Sequence, residues 1–584
     1  MKTLLLQAVL VTGMQALLYG LVPAWALARK PWADAGEWLF ASLVAGVSSA
    51  ALLGWLCNGS GIGLGAATAI WLGAWIGAGF WARRKKRAAA PLCWNGALLA
   101  VLGLAWIVRM IHPLQTWALG QSDAYSHLGF LMDVLERGRV ANPSYPPAYA
   151  WVQAFPAWLL GDHPYWMARF GGAFFGAGLA LGAYALLARV RGRAAGLAAA
   201  ALVAGCPAFF WLQKTGVGSF ANQLGLLLVL AALWAYASDR RGWLAAVLAA
   251  LAVSVPMMAL HVLLLLATLI LLDREAGRGR FVLLGLLAAT FAAMLGLAIQ
   301  LPPRRGLAIA SMLLGKFITI EHPGAVWGDV LRALAADFFS VKRLGYPSWP
   351  ISGAALATAA IFAAAMVAGW RRRDAAWRLI GAWGLLTSVN VHFGLFQFTQ
   401  YQREGWSLLL ATAGLAALVF DAAWRRWTNR NGRRCLAAGL AVVSLAGLAL
   451  PPAHAPATGP AESDVVRYLL SLDPEATVLA REMSGFESGQ GDVVRTLHPK
   501  ILADVSEIAA ATGPVYFLRD RPPPRPRVSP VMKMLQPALA SVNERAQERA
   551  EADNRRLEEQ LAGFPVRKME YSRYLEIWQI QPKP

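Results

Sequence analysis

The chain has 584 residues, of which 57% are hydrophobic and only 15% charged. Soluble domains carry about 25% charged residues, so too little charge is present to cover a water-facing surface. The balance of 54 basic against 33 acidic residues, net +21, is strongly basic. Together these values exclude a soluble enzyme, a fibrous protein and a disordered chain.

Apolar runs long enough to cross a bilayer, roughly 17–25 residues, recur over the first three quarters of the sequence. In chain order the predicted spans are 4–27, 38–56, 62–81, 93–111, 165–188, 195–212, 221–237, 242–256, 258–272, 281–301, 351–369, 379–397, 404–421 and 435–451. The fold class is therefore a polytopic α-helical membrane protein with about 11–14 transmembrane helices. The first stretch ends in Ala26-Leu27-Ala28, which resembles a signal-peptide cleavage site. Its length suits an uncleaved spanning helix better.

The basic residues gather between the apolar runs. They form Arg83-Arg84-Lys85-Lys86-Arg87, Arg189/Arg191/Arg193, Arg240-Arg241, Arg274/Arg278/Arg280, Arg371-Arg372-Arg373 and Arg425/Arg426/Arg430/Arg433/Arg434. That placement is the positive-inside pattern of cytoplasmic loops, and it speaks against nucleic acid as a partner. With every basic cluster on the cytoplasmic side, the spans alternate without contradiction. The same alternation exports 112–164, 213–220, 302–350 and everything after about 451. The four cysteines, Cys57, Cys93, Cys206 and Cys435, have no paired spacing and read as small apolar residues.

The exported stretches carry the chemically suggestive residues. The first contains Ser122-Asp123-Ala124-Tyr125-Ser126-His127-Leu128 at the start of a helical pattern, then Tyr145-Pro146-Pro147. Asp123 and His127 are four apart and share one helix face. Asp123 as a helix cap with His127 packed beneath is the competing structural reading. The second is Lys214-Thr215-Gly216-Val217-Gly218-Ser219-Phe220-Ala221-Asn222-Gln223, which also passes for ordinary loop material. The third holds Thr319-Ile320-Glu321-His322, where a glutamate is commonly a solvated charge. Arg403 stands at the outer edge of a span, where an arginine also snorkels to headgroups.

Beyond residue 451 the composition changes. Val478–Ala480, Pro514–Leu518 and Tyr574–Gln579 read as short strands, and Ser463–Leu472 and Met532–Leu561 as helices. Pro522-Pro523-Pro524-Arg525-Pro526 reads as a rigid linker. The expected organisation is N-terminal transmembrane helices over 1–90, a transmembrane catalytic core over 91–451, and a small extracytoplasmic α/β domain over 452–584. That last domain either covers the site, docks an acceptor or acts as a structural cap.

Taken in order, the Asp123–His127 segment, Lys214–Gln223, Thr319-Ile320-Glu321-His322 and Arg403 resemble the catalytic subunit of oligosaccharyltransferases, within the GT-C superfamily of membrane glycosyltransferases. The resemblance spans roughly residues 93–420. It implies a polyprenyl phosphate or pyrophosphate sugar donor, a protein or cell-envelope glycan acceptor, and an active site at the outer face of a bacterial or archaeal cytoplasmic membrane. Under it, Asp123 and Glu321 are the catalytic carboxylates, and Arg403, Lys214 and His127 face the donor phosphate. Tyr125, Tyr145, Asn222 and His322 then contact the acceptor or support the loops. Asp123, Glu321 and His127 become candidate ligands for Mg²⁺ or Mn²⁺.

The departures are specific. Ala221 and Gln223 replace the acidic pair of the second motif. The Trp-Trp-Asp-Tyr-Gly motif that reads the acceptor sequon is absent, and Val478-Leu479-Ala480-Arg481-Glu482-Met483-Ser484-Gly485 stands at the comparable point. The spans before residue 88 have no counterpart in the family. Two other readings compete: a lipid-linked glycan transporter or flippase, and an O-antigen-ligase-like enzyme using Arg304, Arg305 and His322.

Overall fold

The computed structural model describes residues 2–28, 32–84, 95–115, 122–141, 145–161, 164–206, 219–272, 282–290, 349–393, 401–449, 460–479, 500–502, 505–511, 513–520, 558–572 and 575–581, with a few single positions between them. The helices before the C-terminal region begin with α1 (Lys2–Gln15), which passes through a π-turn (Ala16–Leu21) into α2 (Val22–Leu27). Pro23 near the start of α2 accounts for the π-turn, because it lacks an N–H and its ring crowds the preceding turn. There follow α3 (Ala35–Ser60), α4 (Leu64–Arg84), α5 (Gly96–Gln115), α6 (Ser122–Arg137), α7 (Ala148–Leu160), α8 (Pro164–Val190) and α9 (Arg193–Gly205). After them come α10 (Ser219–Ala237), α11 (Arg241–Ser254), α12 (Pro256–Leu272), α13 (Trp349–Arg371), α14 (Ala375–Phe393), α15 (Tyr401–Arg426) and α16 (Arg430–Ala449).

Six described segments are long and apolar enough to cross a membrane: Leu4–Leu27, Ala35–Ser60, Leu64–Arg84, Gly96–Gln115, Pro164–Val190 and Ser407–Arg426. Shorter apolar helices accompany them at Arg193–Gly205, Ala221–Ala237, Arg241–Ser254, Met258–Leu271 and Ala357–Arg371. Helix α9 covers the expected span 195–212 as far as Gly205, and residues 207–212 and most of 281–301 lie outside the described residues.

At the centre, α8 packs against α1, α3, α5, α9 and α10. Its small residues permit this, as a Cβ on Gly176 would stand 1.9 Å from Cδ of Arg109. Arg109 is a buried cation on α5 that is satisfied by helix ends. Its Nη1 donates to the carbonyls of Ala105 and Ala204 (3.1 Å each) and its Nη2 to that of Val203 (3.0 Å). The last carbonyls of a helix lack intrahelical partners, so Arg109 closes the end of the 13-residue α9 and lies where the helix dipole is negative.

One end of the bundle collects the basic clusters. Asp34 caps α3 by accepting from the Glu37 N–H (2.9 Å), and Glu37 reaches back to accept from the N–H of Ala33, the residue before the cap (2.7 Å). The remaining carboxylate oxygens meet Tyr184 Oη (2.6 Å), Arg193 (3.4 Å), Trp234 Nε1 (3.2 Å) and Arg240 (3.7 Å). Burial pulls the Arg240 guanidinium below its ordinary value, and Glu37 pushes back. Nearby, Arg191 bridges Asp374 (2.6 Å) and Asp421 (2.9 Å), and Arg425 also pairs with Asp421 (2.9 Å). The chain segments joined this way are ones that the charge pattern assigns to a single side.

At the opposite end α3 meets the region after α5. Asn58 Oδ1 accepts from the Val140 N–H (2.8 Å) and from Trp151 Nε1 (3.2 Å). The sequence treats 112–164 as an exported stretch with one helical pattern, but the structure adds α7 as a second, inserted helix. Residues 148–157 are buried throughout, Tyr19 donates to the Val152 carbonyl, and Phe155 stacks on Trp71 at 6.1 Å. An apolar segment too short to span is buried among α1, α3, α4 and α8 instead.

The C-terminal region contains α17 (Pro460–Ser471) and a five-stranded sheet of β1 (Thr477–Leu479), β2 (Ile501–Leu502), β3 (Val515–Asp520), β4 (Val566–Ser572) and β5 (Leu575–Ile580). The strand order is β2-β1-β3-β5-β4. β1 runs parallel to β2 and β3, while β5 is antiparallel to β3 and β4. Side chains alternate between faces. Leu479, Val515, Phe517, Trp578 and Ile580 form one buried layer with Ile508 and Leu561. The three strands expected from sequence appear within two residues of their positions. The short β2 and the charged edge strand β4 were missed. The expected Pro-rich linker and most of the helix over 532–561 lie outside the described residues.

Candidate functional site

Helix α6 begins at Ser122, so Asp123 occupies its first turn and His127 follows one turn later on the same face. The side chain of Asp123 lies outside the described residues. His127 is only 6% exposed, and its Nε2 lies 3.2 Å from Tyr145 Oη. The rings of Phe130, Tyr145 and Tyr149 stand edge to face around it, with centroids at 6.1, 5.3 and 5.4 Å. His127 is thus buried among rings and also holds a specific hydrogen bond.

The local sequence explains this box. Pro146-Pro147 hold the chain extended and open α7 directly after Pro147. Tyr145 and Tyr149 are thereby presented together to α6. Behind them a polar chain runs into the bundle. Gln153 Nε2 donates to Tyr149 Oη (3.2 Å), and Gln15 Nε2 donates to Gln153 Oε1 (3.1 Å). Gly171 of α8 lies against both amides, at 2.9 Å from where its Cβ would be.

Tyr125, also of α6, is 1% exposed and accepts from the Leu119 N–H at 3.2 Å. Across from it stands Arg169 of α8, a residue that the sequence reading passed over inside a span. Its Nε donates to the Pro113 carbonyl (2.7 Å) and its Nη1 to Tyr165 Oη (3.2 Å). Its guanidinium lies 4.5 Å from the Trp117 ring centre. The available signal was an arginine isolated in the apolar run from Pro164 to Val190.

The second motif enters at the start of α10, which packs against α6 and α8. Ala221, Asn222 and Gln223 are all buried there. Asn222 Nδ2 and both polar atoms of Gln223 have no hydrogen-bond partner among the described residues. Hard divalent cations favour carboxylate oxygens, and this position offers two neutral amides and an alanine. These three positions fit hydrogen bonding rather than metal ligation, and of the candidate ligands Asp123, His127 and Glu321, the Asp123 side chain and Glu321 lie outside the described residues.

Lys214, Glu321 and His322 lie outside the described residues, as do Arg304 and Arg305. Arg403 falls in the first turn of α15, and its side chain is likewise not described. The structure therefore joins His127 with Tyr145, and adds Tyr149, Gln153 and Arg169 around the helix that carries Asp123. In the C-terminal region a cleft of about 610 Å³ opens at the leading ends of β1, β2 and β3, lined by Asp473, Glu475, Lys500, Glu507 and Tyr516. Lys500 pairs with Glu475 across it.

No protein-family model and no curated protein matches the sequence. Among solved structures, the chain is similar to the Archaeoglobus fulgidus oligosaccharyltransferase in the apo form and in complex with Zn and sulfate. Both have a TM-score of 0.45, with 12% and 13% identity, over 72% of this chain and 69% and 68% of that one. Archaeal AglB from A. fulgidus, in complex with an inhibitory peptide and a dolichol-phosphate, has a TM-score of 0.43 at 12% identity, over 72% of this chain and 69% of its own. ArnT from Cupriavidus metallidurans bound to undecaprenyl phosphate has a TM-score of 0.37 at 12% identity, over 83% of this chain and 98% of its own.

Proposed function

We propose that this protein is a membrane glycosyltransferase that moves a sugar or oligosaccharide from a polyprenyl-phosphate or pyrophosphate donor to a protein or cell-envelope glycan. The reaction takes place on the side of the membrane opposite the basic clusters, which are cytoplasmic. The observation that carries this reading is the seating of α6. The helix bearing Asp123 is fixed at that end, with its His127 bonded to Tyr145.

Transfer needs an acceptor oxygen or nitrogen to attack the anomeric carbon while the phosphate departs. Asp123 orients the acceptor and takes its proton, work that a carboxylate within hydrogen-bond reach performs. Cationic groups offset the charge growing on the leaving phosphate oxygens. Arg403 is assigned to this as a bidentate partner, with Lys214 and His127 beside it and Glu321 as the second carboxylate. No step passes through a metal, given the amides at 222 and 223. Tyr125, Tyr145, Asn222 and His322 keep their supporting roles, and the C-terminal domain faces the acceptor.

The test compares glycoproteins and envelope glycans by mass spectrometry in cells with and without the gene, and with Asp123→Asn. That variant should lose transfer by ~100-fold or more at unchanged protein level. Full transfer by Asp123→Asn ends the assignment. The short helices α9 and α11 favour a second reading, a lipid-linked glycan flippase built on half-helices. Under that reading Asp123→Asn leaves glycan transfer intact and the lipid-linked glycan accumulates on the wrong face only when translocation itself is impaired.

A further inference from the structure

We infer that Arg169 is an anion-binding residue that receives a phosphate oxygen of an isoprenoid lipid phosphate beside the Asp123 helix. The choice of an isoprenoid lipid rests on the glycosyltransferase reading, whereas the oxyanion chemistry rests on the geometry alone.

Arg169 is 4% exposed, and a guanidinium keeps its charge in a protein. Buried charges are ordinarily paired. Of the other buried or half-buried arginines, Arg191 and Arg240 face carboxylates, while Arg109 has neutral partners but three of them, all backbone carbonyls. Arg169 has only the Pro113 carbonyl at Nε and Tyr165 Oη at Nη1, both neutral. Its Nη2 has no hydrogen-bond partner among the described residues. The protein thus holds Nε and Nη1, and Nη2 is left with its two N–H donors.

The surroundings hold that edge in place. The guanidinium lies against Trp117 at 4.5 Å, Phe170 at 5.2 Å and Trp166 at 5.7 Å. These rings compensate part of the charge and offer an apolar wall suited to an isoprenoid chain. Tyr165 donates to the Trp117 carbonyl, and Tyr125 accepts from the Leu119 N–H. The short segment beside the arginine is therefore pinned to α8 on one side and to α6 on the other. Arg169 is also the sixth residue of a 27-residue helix, about 7–8 Å along its axis. That places it near one end of the helix and away from its middle.

Binding of radiolabelled undecaprenyl phosphate to the full chain in phosphatidylcholine nanodiscs tests this, with phosphatidylglycerol and inorganic phosphate as competitors. Arg169→Gln should weaken binding about a hundredfold, and Arg169→Lys, which keeps the charge and loses the fork, about tenfold. Neither competitor should displace the label at equal concentration. Unchanged binding in Arg169→Gln with an unaltered ligand-free Tm overturns the inference, and so does a wild-type chain that binds none of the three. Arg169-dependent binding of inorganic phosphate or phosphatidylglycerol alone keeps the anion site and removes the isoprenoid assignment, hence the donor reading. If Arg169→Gln does not fold, Tyr165→Phe decides. It leaves the charge and frees Nη1, and should weaken binding about threefold. No change in that variant counts against the site.

Discussion

The two ends of the helical bundle treat their polar groups in opposite ways. At the basic end Asp34, Glu37, Asp374 and Asp421 each meet an arginine, and the acids also take Tyr184, Trp234 and backbone N–H groups. At the aromatic end no described ion pair joins the buried groups. His127 has Tyr145, Arg169 has neutral partners, and Gln223 has none among the described residues. Buried polar groups left incompletely satisfied cost free energy unless something else completes them. The basic end therefore reads as a clamp that holds helices together, and the aromatic end as a place that a substrate completes.

The contrast breaks first at Glu37. Removing one member of a buried pair leaves the other uncompensated, typically at 3–5 kcal/mol. Arg240 is partly exposed and can be rehydrated in part, so Glu37→Ala should destabilise the chain by about 3 kcal/mol, with Glu37→Gln milder because it still accepts from Trp234. Urea or thermal unfolding in micelles measures both. Binding of polyprenyl phosphate by the surviving folded fraction should stay within twofold of wild type. A large loss of binding there would show that the two ends are not separable.

Gly171→Ala comes next in size and acts between the ends. Its Cβ would press on the amides of Gln15 and Gln153 at 2.9 Å. Either α8 moves away from α1 and α7 or the amide pair opens, at ~2 kcal/mol by the usual cost of overpacking. Loss of Tm without loss of turnover assigns the glutamine chain to packing. Loss of turnover at little cost in Tm shows that the chain positions Tyr149 and, through it, the His127 box.

The sequence made the fold class legible because it is written in composition. Apolar length marks helices, and arginine clusters mark their ends, so 83–87, 189–193, 240–241 and 425 sort before any coordinates are known. The three interior strands of the C-terminal sheet were equally readable, since Val478, Phe517 and Ile577 sit in short runs rich in β-branched, aromatic and aliphatic residues. The site was legible only in part. Asp123, His127 and Tyr145 stand out as polar residues in a stretch that the charge pattern exports, but the meeting of His127 with Tyr145 depends on α7, a buried helix too short to register as a span. Arg169 was hidden by averaging, as one arginine scarcely lowers the hydropathy of a 27-residue segment. Gln15 and Gln153 lie far apart in sequence and acquire meaning only where Gly171 brings their helices together.

The smallest change gives the sharpest reading of the aromatic end. Tyr145→Phe deletes the hydroxyl that lies against His127 Nε2 and keeps the ring that packs on Phe130 at 4.5 Å. A lost neutral hydrogen bond is worth ~1 kcal/mol, so Tm should fall by only a few degrees. If His127 serves catalysis or the donor, releasing its ring changes kcat or donor KM by about fivefold, the rate equivalent of that same bond, and the pH profile of turnover shifts, because imidazole titrates within the assay range. If His127 only packs, turnover and its pH profile follow the amount of folded protein and nothing else. His127→Phe then restores stability without restoring turnover in the first case, and restores both in the second. One residue thus decides whether the box at the aromatic end is a second clamp or part of the machinery.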